Sequence, residues 1–137
     1  MTEPLRTLVV DNNPTFLNVA REYLQAHVEE VVVIGTATSA REALKETSNL
    51  NPDLILLDLH MPDRSGLEII PELRQLKPGV AIIAVSMLDA TNYQPAAIAA
   101  GASDFVAKAS MVEKLFPAIQ RIRLKRQQIL MQWAAGG

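Results

Sequence analysis

The 137-residue sequence contains no cysteine, which removes disulfides, thiolate catalysis and Cys-ligated zinc and leaves the redox compartment undetermined. Histidine is nearly as scarce: His27 and His60 are the only two, too few for a His-rich metal site. No run approaches the roughly 20 apolar residues that cross a bilayer, and the N-terminus MTEPLRTLVV lacks the basic-then-apolar order of a signal peptide. A soluble, cytoplasmic protein with no membrane contact is therefore expected. Internal repeats, low-complexity tracts and Pro/Gly/Ser linkers are missing too, so nothing divides the chain.

What is present suits one domain with a real core, since 49% of the residues are hydrophobic. The net charge of −2 conceals an asymmetry: residues 1–110 carry 8 Lys/Arg against 14 Asp/Glu, and residues 111–137 carry 5 against 1. The last segment is locally basic.

Four short apolar runs recur, TLVV (7–10), EVVVIGTA (30–37), DLILLD (53–58) and AIIAVS (81–86), with a weaker fifth, DFVAK (104–108). They are continuous rather than alternating, as in strands covered on both faces. Between them lie residues at helical spacing: Phe16, Val19, Ala20, Tyr23 and Leu24; Ala40, Ala43 and Leu44; Leu67, Ile69, Ile70, Leu73 and Leu76; Ile98 and its alanines. Strand and helix alternate five times, which predicts an α/β fold, a doubly wound five-stranded parallel sheet flanked by five helices. The punctuation agrees, with Pro14 in a first helical turn, Thr38 or Ser39 as a cap, Ser65-Gly66 opening the third helix, and Gly101 closing the fourth. After Ser110 one long, extended helix is expected, with Leu115, Ile119, Ile122, Ile129 and Trp133 on a stripe that Arg126 interrupts.

In an open parallel sheet, ligands bind outside the carboxyl ends of the strands. The polar residues there are Asp11 with Asn12, Asp58, Ser86 and Lys108. Taken singly, each has a plain role: an Asp at a strand end makes a turn or cap, serine is common where a strand enters a loop, and lysine is usually solvated. Together, two carboxylates, a hydroxyl and an ammonium suit a phosphoryl and Mg²⁺ site.

The stretches VVDNNP, LILLDLHMPDRSGLEII, IIAVSM and GASDFVAKAS, in that order and spacing, resemble the receiver domain of two-component response regulators, whose fold is flavodoxin- or CheY-like. The resemblance covers residues 5–122 and leaves 123–137 as a helical extension or a linker to an output domain. It implies Asp58 as phosphoacceptor, with Asp11, Asp58 and the backbone carbonyl of His60 holding Mg²⁺. Lys108 and Ser86 would contact the phosphoryl group, and Phe105 would be the switch aromatic that enters the space Ser86 vacates. A partner histidine kinase or phosphotransfer protein, or a small phosphodonor, would supply the phosphoryl group. The face of the fourth helix, fifth strand and fifth helix would then change, for homodimerisation or for an output partner.

Two departures stand out. Asn12 replaces the family's second metal-contacting acid, so metal binding is expected to be weak, and the alternative is a degenerate receiver acting as a constitutive interaction module. Lys108-Ala109-Ser110 replaces a Lys-Pro with a cis bond; a trans bond is expected, with Ser110 and Glu113 as a capping box for the last helix. The imidazole of His60 needs no role in this reading. Arg121, Arg123, Lys125 and Arg126 make a basic cluster without a recognition element, so no direct nucleic-acid binding is expected, while Ile122, Ile129 and Trp133 would face a partner or a second copy. A phosphohydrolase would need an acid two positions after Asp58, where His60 stands. A flavin or dinucleotide binder would need a Gly-rich cradle where DNNPTF follows the first strand.

Overall fold

In the computed structural model, which describes residues 3–87 and 90–136 apart from the side chains of 90 and 91, strands and helices alternate along the whole chain. The elements are β1 (Leu5–Val10), α1 (Pro14–Gln25), β2 (Val31–Ala37), α2 (Ala40–Leu50), β3 (Leu54–Asp58), α3 (Gly66–Leu76), β4 (Ala81–Ser86), α4 (Ala90–Ala100), β5 (Asp104–Ala107), a 3-10 turn (Lys108–Ser110) and α5 (Met111–Gly136). The strands form one parallel sheet in the order β2-β1-β3-β4-β5. The order reverses between β1 and β3, and a crevice opens outside the carboxyl ends of such a pair.

Successive residues of one strand feed opposite cores. Along β3, Leu54 and Leu56 join the cluster under α1 and α5, while Ile55 and Leu57 join the one under α2, α3 and α4. All four are essentially inaccessible, which explains the unbroken apolar runs: with helices on both faces, a strand has no solvent side to mark with polar residues. Truncating one such leucine to alanine costs about 2–5 kcal/mol.

Local signals set the helix starts. Ser39 Oγ accepts the Glu42 N–H and Ser65 Oγ the Leu67 N–H, and Pro14 occupies the first turn of α1. Three helices carry an interior proline, Pro71, Pro95 and Pro117, each exposed, so water can reach the carbonyl it leaves unbonded. At the start of α5 the expected Ser110–Glu113 box is replaced by backbone: the 3-10 turn runs into the helix, and the Met111 N–H bonds the Lys108 carbonyl. No peptide bond among the described residues is cis, the one after Lys108 included.

The helical stripes are narrower than their spacing suggests. Val19, Leu76 and Ile98 are about half exposed, and Leu17 and Ala97 are buried in their stead. On α5 the stripe packs through Leu115, Ile119 and Ile122, so Ile122 belongs to this chain's own core rather than to a partner. Beyond it the helix leaves the sheet: Ile129 is 48% and Trp133 78% exposed. Gly137, the end of the AAGG tail, lies outside the described residues. No described helix is long and apolar enough to cross a membrane.

At the amino ends of the strands, charges are met by main-chain oxygens. Arg6 donates to the carbonyls of Leu50 and Asn51, Lys77 to those of Asn51 and Pro52, and Arg74 to those of Val80 and Gly101 and to Ser103 Oγ. Arg126 reaches Asp53 at 3.3 Å and Arg121 reaches Asp104 at 2.7 Å. Two members of the basic cluster are therefore tethers between α5 and the domain, not a purely solvated face.

Candidate functional site

At the opposite edge, three loops and one turn converge. The chain leaves β1 into Asp11, whose N–H bonds the Ala37 carbonyl and whose Oδ1 accepts the Asn13 N–H at 2.8 Å. Asn13 in turn caps α1, its Oδ1 accepting from Thr15 and Phe16. This Asx turn leaves Asp11 Oδ2 pointing into the crevice, where the residue is 1% exposed.

Asp58 ends β3 and is 3% exposed. Its Oδ1 accepts the His60 N–H at 3.1 Å. The next helix starts against it: a Cβ on Gly66 would lie 2.7 Å from the Asp58 carbonyl oxygen and 2.8 Å from Leu59 Cα. Only glycine lets α3 begin so close to the site.

Lys108, on the turn after β5, lies between the two acids. Its Nζ is 2.7 Å from Asp11 Oδ2 and 3.9 Å from Asp58 Oδ2. The ammonium also sits 4.2 Å from the centre of the Phe16 ring, a cation–π contact. Burial raises the pKa of Asp58 above the ordinary carboxylate range, and the charge of Asp11 adds to this; the His60 N–H, Lys108 and the His60 ring pull the other way.

Asn12 is exposed, yet its amide nitrogen faces two acceptors, Asp58 Oδ2 at 3.2 Å and the His60 carbonyl at 3.3 Å, an orientation assigned from the surrounding acceptors. No group of three His, Cys, Asp or Glu able to hold a metal occurs among the described residues. The available donors are the carboxylates of Asp11 and Asp58 and the carbonyl of His60, all hard oxygens. Asp11 Oδ2 is buried without an aligned hydrogen bond despite its short contact with Lys108. That set fits Mg²⁺, which accepts one or two carboxylates with water completing its shell.

The four strand-end residues Asp11, Asp58, Ser86 and Lys108 thus gather at one edge, with Ser86 closing β4 opposite Ala107. Phe105 is buried in the core under α2, α3 and α4. Two participants carry no sequence signal. The His60 imidazole lies with Nε2 2.9 Å from Ser86 Oγ and meets Tyr93 of α4 edge-on, ring centres 4.9 Å apart. Strand pairing makes that contact: Asp58 lies opposite Val85, which brings residue 60 to residue 86.

A family model described as the response regulator receiver domain matches residues 7–120. The chain is 38% identical over 110 residues to a protein-glutamate methylesterase/protein-glutamine glutaminase of Agrobacterium fabrum, covering 79% of this chain and 31% of that protein. It is 29% identical to the chemotaxis protein CheY of Thermotoga maritima, over 85% of this chain and 96% of that one. A crystal structure of a response regulator from Burkholderia pseudomallei, with a phosphorylated aspartic acid, calcium ion and citrate, superposes with a TM-score of 0.74 at 27% identity, over 90% of this chain and 71% of that one. The chain thus spans about a third of the methylesterase and nearly all of CheY.

Proposed function

The chain belongs to the response regulator receiver family, and from that premise we propose that Asp58 is a phosphoacceptor, supplied by a histidine kinase, a phosphotransfer protein or a small phosphodonor. The observation that carries this reading is the setting of Asp58: a buried carboxylate at a strand end, oriented through Oδ1 by the His60 N–H, with Lys108 3.9 Å from its Oδ2. An oxygen of Asp58 attacks phosphorus, the bond to the donor breaks, and the donor leaves with that electron pair. Positioning and charge neutralisation dominate such transfers. Asp11, Asp58 and the His60 carbonyl would hold Mg²⁺, which when bound offsets the negative charge gathering there. Lys108 turns from Asp11 toward the phosphoryl oxygens, and Ser86 donates to another.

Phe105 and Ser86 then exchange packings, and the face of α4, β5 and α5 shifts by a change of populations. That face serves a second copy or an output partner, with residues 5–122 as the receiver and the rest of α5 as extension or linker. This is a cytoplasmic signalling role; the chain's own chemistry amounts at most to self-phosphorylation and self-dephosphorylation.

Incubation with Mg²⁺ and acetyl phosphate, read by intact mass, tests the assignment: one phosphoryl adduct in the wild type and none in Asp58→Asn. Labelling that persists in Asp58→Asn refutes it.

The Asn12 amide favours a second reading, because it engages Asp58 and the His60 carbonyl, two of the three proposed metal donors. On that reading the receiver is a constitutive interaction module. Asn12→Asp discriminates: a weak but working site gains Mg²⁺ affinity about tenfold by calorimetry, from the added anionic ligand, and labels faster. A module that has lost phosphotransfer stays unlabelled in both forms.

A further inference from the structure

Phosphoryl transfer to Asp58 makes no use of the His60 side chain, yet that residue touches several parts of the site. Its N–H holds Asp58, its carbonyl faces Asn12, its Nε2 lies 2.9 Å from Ser86 Oγ, and its ring meets Tyr93 at 81°. Ser86 is fully buried, so its hydroxyl takes its partners from protein. Tyr93 packs against the same core cluster that holds Phe105.

We propose that the His60 imidazole is a positioning residue for the switch: it holds the Ser86 hydroxyl and Tyr93 in the resting arrangement, and Ser86 leaves it when Asp58 is phosphorylated. A serine hydroxyl has a single proton. With Nδ1 protonated, Nε2 accepts that proton, which is then withheld from a phosphoryl oxygen. The competition is direct, because one donor cannot serve both acceptors. The imidazole that holds Ser86 also packs against Tyr93 with the two rings near-perpendicular, so loss of the first contact frees the second. The site thereby reaches α4 through two side chains, alongside the route through Phe105.

The test has two arms, and only the second rests on Asp58 being the phosphoacceptor. The first uses unphosphorylated protein and compares His60→Ala, His60→Gln, Ser86→Ala and the double variants. His60→Ala and Ser86→Ala are expected to be non-additive in unfolding midpoints. His60→Ala should move backbone amide resonances of α4 and β5, and His60→Gln, whose amide can still reach Ser86, should restore them. Additive effects, or α4 and β5 resonances that stay at their wild-type positions in His60→Ala, overturn the proposal. So does failure of His60→Gln to restore them.

In the second arm, labelling by acetyl phosphate should quicken about fivefold in His60→Ala, the equivalent of one ordinary hydrogen bond. Slower labelling would mean that the imidazole aims the hydroxyl at the acceptor, and would overturn the latch. An absence of labelling in every form removes the phosphoacceptor reading and leaves the first arm to decide the latch alone.

Discussion

The two ends of the sheet hold similar charged side chains in opposite states. At the amino end, Arg6, Arg74, Lys77 and Arg126 lie at the surface or half buried, with carbonyl oxygens or Asp53 against each. At the carboxyl end, Asp11 and Asp58 are sealed in, with Lys108 as their common counter-ion. The first arrangement tethers loops and helices; the second holds charge that an incoming anion can rearrange. Burial with incomplete pairing therefore separates the functional edge from the structural one, not charge itself.

Removing the shared cation should produce the largest effect. Lys108→Ala leaves two buried carboxylates facing each other, and chemical denaturation at pH 7 should show a loss of about 3 kcal/mol, the scale of a broken buried pair. In an Asp58→Asn background the same change should cost clearly less, since one of the two anions is gone. An equal cost in both backgrounds would show that Lys108 acts through Asp11 and Phe16 alone.

At the other edge, Arg74→Ala strips a guanidinium from two carbonyls and a hydroxyl. About 2 kcal/mol should be lost, and Arg74→Lys should recover only part, because an ammonium cannot reproduce the fork. Labelling of Asp58 in the folded protein should stay at the wild-type rate. A slowed rate would mean the two edges are coupled.

Much of this was legible beforehand, and the exceptions share a cause. Continuous runs such as AIIAVS mark strands because both faces are covered, and they place Asp11, Asp58, Ser86 and Lys108 at one edge once the strands are parallel. Capping residues such as Ser39 and Ser65 act within three positions of themselves, so local pattern suffices. Whether Val19 is buried depends instead on what packs over α1, which spacing along the chain does not state, and Ile129 is exposed because the sheet stops before the stripe on α5 does. The contact between His60 and Ser86, 26 residues apart, exists only through the pairing of β3 with β4. Arg126 likewise interrupts a stripe until tertiary structure supplies Asp53.

Asp58→Asn sharpens the contrast with a gain. Burial first, and Asp11 next, raise the pKa of Asp58, so the folded protein holds that proton more tightly than the unfolded chain does. Stability therefore falls as pH rises from the ordinary carboxylate range through the raised value, and the cost is complete above that value. Asp58→Asn should be more stable than the wild type once the pH is above that raised value, an advantage that fades in acid. Destabilisation above that value would mean that the His60 N–H and Lys108 outweigh burial.

The smallest effect comes from Asp63, which sits in the loop after Asp58 yet behaves like the charges of the amino edge. Its Oδ1 accepts the Ala40 N–H at 3.0 Å and its Oδ2 the Arg41 N–H at 2.9 Å, so one exposed carboxylate straddles the first turn of α2. Those two N–H groups, Ala40 first, lower its pKa. The sign is opposite to that of Asp58: the stabilisation is present above the ordinary carboxylate range and is lost as pH falls through the lowered folded value. Asp63→Asn should lower the melting temperature slightly at pH 7, with the gap closing in acid, because water competes for both N–H groups and screens the charge. If it instead cost as much as Lys108→Ala, then position at the carboxyl edge, and not burial with incomplete pairing, would decide what a charge contributes there.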